Sequence, residues 1–185
     1  MRKPAQAAQS ASDSKEGAME ITNIATFLPY LKNIRERTLR VARVIPPDRL
    51  EWTYTPGKFT LGDLLRHVAT VERYLWAEIV QGKPARYHGC GRDLADGFDN
   101  VLAFMERLHA ESVEIFSRLT PDDLQKKCVT PDGSPITTWK VLRLVIEHEI
   151  HHRGEIYIYL GMLGVKAPPL YGMTSEQVKE LSAKA

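Results

Sequence analysis

The chain has 185 residues, 43% hydrophobic and 26% charged, and its 25 Lys and Arg against 23 Asp and Glu leave a formal net charge of +2. That suits one soluble domain with a real core: no apolar run approaches the roughly 18 residues of a membrane span, and the balanced charge argues against a nucleic-acid-wrapping surface. Two cysteines, Cys90 and Cys128, are too few for a secreted disulfide framework and fit a reducing, cytoplasmic setting.

Residues 1–18 are Ala, Ser, Gln and scattered charges without the apolar block of a signal peptide, which predicts a disordered tail ahead of one domain over 19–185. Helical periodicity follows in four segments. The first places Ile24, Phe27, Leu31, Ile34, Thr38 and Val41 on one stripe. The second starts at Thr60, an N-cap with Asp63 three residues on, carries Leu64, Leu65, Val68, Val71 and Leu75, and stops at Gly82-Lys83-Pro84. Phe98, Val101, Leu102, Met105, Leu108, Val113, Phe116 and Leu119 mark the third, which Thr120-Pro121-Asp122-Asp123 closes with a short helical turn. The fourth begins near Thr137 and runs to Leu163, ended by Gly164 and Pro168-Pro169, and Ser175 to Ala183 reads as a last short helix. Only WTYT at 52–55 and KKCVT at 126–130 read as strands, each followed by a turn signal. The pattern is that of an all-α four-helix bundle. Pro-Asp followed by Thr-Pro recurs ahead of the second and fourth helices. This is either a weak internal repeat, which would make those two helices core partners, or the reuse of common capping chemistry.

Of six histidines, three fall on inward stripes. His148 and His152, four residues apart, share one face of the fourth helix, and His67 lies on the core strip of the second. Burying three imidazoles needs partners. A divalent metal would satisfy all three at once and leave an open coordination position, as catalytic sites do; the plainer alternative is core histidines bonded to Glu72, Glu155 or tyrosines. The run His148-Glu149-Ile150-His151-His152 also fits HExxH, which would make Glu149 a general base. His151 sits off the ligand position, His88 in a loop, His109 on a helix surface, and Cys90 reads as a free loop thiol.

The run His148-Glu-Ile-His-His152-Arg-Gly-Glu-Ile156, preceded by Thr137-Thr-Trp139 and paired with Thr60-Leu-Gly-Asp-Leu-Leu-Arg-His67, resembles the DinB/YfiT-like family over roughly residues 20–165. The resemblance implies an up-down-down-up four-helix bundle with long crossovers, holding a divalent metal, commonly Ni or Zn, through His67, His148 and His152. Glu155 stands where the family frequently has Gln. The HHRGE context and His67 demote the protease-like reading. Relatives in the family activate a low-molecular-weight thiol such as bacillithiol or mycothiol, which implies a thiol S-transferase acting on a small electrophile. A metal-dependent hydrolase, with Glu149, Glu155 or Glu72 as base, and a metal-binding or dimerising module without turnover are the alternatives. The expected partners are a small-molecule substrate and a second copy, since Leu142, Ile146, Ile150 and Tyr157 form a second apolar line on the fourth helix; neither nucleic acid nor membrane is expected.

Overall fold

The structure is a computed structural model that describes residues 20–184; the 1–18 tail and the domain start at Met19 lie outside the described residues. Helix α1 spans Ile24–Ala42 and begins at Asn23, whose side-chain oxygen accepts from the Ala25 amide at 2.8 Å, filling one of the donors that a helix start leaves open. Its stripe Phe27, Leu31, Ile34, Thr38 and Val41 is buried. A connection with a 3-10 turn at Pro47–Arg49 leads to α2, Leu61–Thr70, where the Thr60–Asp63 capping box forms in both directions. The chain continues beyond Thr70 through a π-helical turn, Val71–Trp76, into α-helical Ala77–Ile79. A π turn accommodates one more residue than an α turn. Here it keeps Glu72 inward and leaves the Tyr74 carbonyl to accept from the Arg86 amide at 3.1 Å.

Helix α3, Phe98–Ser117, is followed by the short α4, Pro121–Gln125, again with a two-way capping box at Thr120 and Asp123. Strands β1, Lys127–Val129, and β2, Pro135–Thr137, pair antiparallel with Cys128 opposite Ile136. They lead into α5, Thr138–Met162, and α6, Ser175–Ser182, follows. The expected strand at 126–130 is thus present. The one at 52–55 is not: without a neighbouring strand to pair with, the segment turns, and Trp52 and Tyr54 set their rings edge-on against Tyr159 at 5.7 and 5.5 Å.

Helices α1, α2, α3 and α5 form a four-helix bundle in which α2 and α5 lie side by side. α1 opposes α3, with Phe27 against Phe116 near one end and Arg43 against Glu106 near the other. α1 and α5 run in the same sense, since Phe27 shares a groove with Ile146 while Thr38 meets Arg153. α2 accompanies α3, with Arg66 on the Ala95 carbonyl and Arg73 on Glu111. Of the line Leu142, Ile146, Ile150 and Tyr157 on α5, the first two are buried in the core with α1, the Tyr157 hydroxyl donates to the Pro168 carbonyl, and Ile150 is exposed. Among the described residues no helix is long and apolar enough to cross a membrane.

The core is split. One main apolar cluster joins Leu39, Val41, Leu65, Val68, Met105, Leu108 and Ile156, and the other main one joins Phe27, Leu31, Ile34, Ala77, Phe116, Trp139, Leu142 and Ile146, beside a small third of Ile79, Cys128 and Val141. Between the two main clusters along the bundle lies a polar layer: Arg35 from α1, Glu72 from the π turn that continues α2, His109 and Ser112 from α3, and Glu149, His152 and Arg153 from α5. Arg35 Nη2 is 2.9 Å from Glu72 and 3.1 Å from Glu149, and His109 Nδ1 is 3.0 Å from Glu72. Such charges survive burial only by compensating one another.

Candidate metal centre

At the edge of this layer, in the groove between α2 and α5, His67, His148 and His152 come together. The capped start of α2 fixes His67 on its second turn, and the four-residue step on α5 stacks the other two. His148 Nε2 lies 3.1 Å from His67 Nε2 and 3.1 Å from His152 Nε2. Three Nε2 atoms thus face one point.

Each outer ring is held from behind. His152 Nδ1 is 2.6 Å from Glu155 Oε2, and His67 Nδ1 is 2.8 Å from the Tyr87 hydroxyl. A carboxylate only accepts, so His152 Nδ1 donates to Glu155 and its Nε2 is the atom turned to the centre. Burial, and then the neighbouring His152, push His67 down to about 4 and His148 to about 3. Both are therefore neutral donors at physiological pH. Imidazole Nε2 atoms that converge with carboxylate and hydroxyl support behind them are the donor set of a borderline divalent metal, and the residues present fit such an ion.

The other expected site residues divide. Glu149 is 1% exposed and its carboxylate faces Arg35, so it is not placed as the general base of an HExxH site; one residue on from His148, it is turned about 100° into the layer. Glu72 is likewise engaged: burial would raise its carboxyl, but Arg35 and His109 hold it below the ordinary carboxylate range. Glu155 alone of the three carboxylates stands at the mouth, with its side chain 39% exposed. His109 corrects the surface expectation, for its side chain is only 12% exposed and bonds Glu72. His151 is exposed, 3.7 Å from Glu155 on the outer side. His88 stacks on Tyr74 at 4.3 Å. Cys90 is a free thiol whose pKa burial raises, and it joins no metal-ligating group among the described residues. Tyr87 and Phe59, whose ring lies 5.2 Å from that of His67, have no periodicity that would single them out in sequence. Arg35 does carry a signal, as a charge beside Ile34 and Thr38 on a core helix.

Residues 30–156, most of the chain, match the family model of the DinB superfamily. The chain belongs to the DinB superfamily. It is 26% identical over 141 residues to the uncharacterized protein YjoA of Bacillus subtilis strain 168, covering 74% of this chain and 88% of YjoA. Among solved structures it shares its fold with YfiT from Bacillus subtilis, described as a probable metal-dependent hydrolase with an unusual four-helix bundle topology, at a TM-score of 0.63 and 15% identity over 90% of this chain and 95% of that one. A mycothiol-dependent maleylpyruvate isomerase superposes with a TM-score of 0.61 at 11% identity, over 72% of this chain and 60% of the isomerase. These likenesses show that the DinB bundle is the scaffold on which the histidine groove is built.

Proposed function

We propose that the protein is a metal-dependent enzyme for small molecules, with His67, His148 and His152 holding a nickel or zinc ion, and that it joins a low-molecular-weight thiol to an electrophile. The observation that carries the reading is the meeting of three imidazole Nε2 atoms, with that of His148 3.1 Å from each of the other two. Bound there, a divalent ion would supply Lewis acidity, lowering the pKa of a thiol or water in its open position. The chain's own groups supply the rest. Glu155 orients His152 and, half in water beside the centre, can accept the proton that the nucleophile gives up. Tyr87 orients His67 from the opposite side. The mycothiol dependence of the isomerase with the same fold supports a thiol as the nucleophile. Water in its place would give hydrolysis, the reading that the description of YfiT supports.

The test has two parts. Purified protein is expected to hold about one metal per chain, lost in His67→Ala and His148→Ala; full occupancy in both variants would remove the ligand assignment. Metal-loaded protein should then consume a thiol such as bacillithiol in the presence of an electrophile such as chlorodinitrobenzene. Ester hydrolysis without thiol consumption would favour the hydrolase.

A further inference from the structure

A cavity of 490 Å³ lies beside the histidine groove, between the end of the first crossover and the last turns of α5. That volume is within the range of small-molecule sites. Its walls are Tyr54, Phe59, Ile158, Tyr159 and Met162, of which all but Tyr159 are exposed. A cluster of large apolar side chains left in water at a concave site marks a place where something binds. Tyr54 and Tyr159 meet edge to face at 82°, which leaves the cavity with the faces and edges that an aromatic ring packs against.

Two residues connect the cavity to the histidines. Phe59 lines it and packs on His67; Glu155 lines it and bonds His152. The remaining charge is Lys58, which forms no ion pair among the described residues. An apolar body between the aromatic walls with an anionic group on Lys58 would lie against Phe59 and Glu155, the two lining residues that touch the histidines. We infer that this cavity is the subsite for the electrophilic substrate, and that it takes a small aromatic or flat apolar carboxylate. The inference rests on the histidine groove being the reaction centre. The crossover segment 52–59 thereby has a second use besides leading the chain to α2, since it supplies the specificity wall.

The probe is 2-naphthoate, with the uncharged 2-naphthamide of the same shape, titrated calorimetrically into metal-free protein. Naphthoate is expected to bind and the amide to bind about tenfold more weakly. Phe59→Ala should weaken both at least tenfold, while Lys58→Met should bring naphthoate to the level of the amide and leave the amide unchanged. Absence of naphthoate binding at millimolar concentration, equal affinity for the two probes, or unchanged binding in Phe59→Ala with an unchanged melting temperature would each overturn the inference. Because the readout needs no metal, the two readings fail separately. A protein that binds naphthoate and no metal keeps the subsite and loses the metal centre; one that binds metal and no naphthoate does the reverse.

Discussion

Single side chains decide whether three imidazoles make a ligand set. His152 is directed by Glu155 and His67 by Tyr87, and such outer partners typically tune metal affinity by 10–100-fold. Glu155→Ala is expected to raise the metal dissociation constant by about that factor. Glu155→Gln, whose carbonyl still accepts from Nδ1, should lose less, and Tyr87→Phe should lose about tenfold. Competition with a chromophoric chelator measures all three. Equal affinity in Glu155→Ala and the wild type would show that Glu155 does not position His152. The depressed basicity has its own consequence. His67 and His148 are pushed to about 4 and 3 in the fold, whereas the unfolded chain protonates them near about 6.5. Between those limits the unfolded state binds more protons, so stability of the metal-free protein falls as pH drops below about 6.5 and keeps falling until the folded values are reached. Urea unfolding at about pH 6 and pH 5 should show this loss, and it should be smaller in His148→Asn by up to about one proton's worth of slope. An unchanged slope in that variant would contradict it.

At the level of elements, the position of His67 depends on how α2 starts. The Thr60 hydroxyl accepts from the Asp63 amide at 2.9 Å and donates to Glu51 at 3.0 Å, while Gly62 runs so close beneath that a Cβ would stand 2.8 Å from Glu51 Oε1 and 2.9 Å from Arg66 Nη1. Those atoms belong to a half-buried ion pair, in which Arg66 is fully enclosed and also donates to the Ala95 carbonyl at 2.7 Å while Glu51 reaches the surface. Loss of the cap in Thr60→Ala is expected to cost about 1 kcal/mol. Gly62→Ala should cost more, since Glu51 or Arg66 must move; calorimetric melting would show the order, and a Gly62→Ala protein as stable as the wild type would mean that the pair gives way freely. Helix starts of this kind were legible, because Thr-x-x-Asp is a local pattern. The π turn at Val71–Trp76 was not, for its widening answers to what α2 packs against.

Across the whole molecule the polar layer is the most consequential feature. Each of the four long helices contributes to it, and Arg35 is the cation shared by Glu72 and Glu149. Several atoms there, including Arg35 Nε and Nη1 and, apart from the Arg35 ion pair, both Glu149 oxygens, have no hydrogen-bond partner among the described residues, as expected where a core carries charge for reasons other than stability. Arg35→Met should strand two buried carboxylates and cost about 3–5 kcal/mol, whereas adding Glu72→Gln and Glu149→Met should recover most of it. Urea denaturation of the single and triple variants tests this; a single variant within about 1 kcal/mol of wild type would show that the layer is not a compensated network.

Periodicity, spacing and capping letters determined the number of helices, their limits to within a few residues, and the three histidines that meet, because a helical stripe that must be buried and an i, i+4 pair are properties of the local chain. Local pattern stops at contacts between segments distant in sequence. Only the folded bundle could place Glu149 against Arg35 and not beside the histidines, bring Tyr87 behind His67, sink His109 onto Glu72, and turn residues 52–55 from an expected strand into a loop that presents Tyr54 to a cavity. Those outcomes depend on which charges and rings confront one another once four helices are packed, and that is decided by burial and pairing in three dimensions.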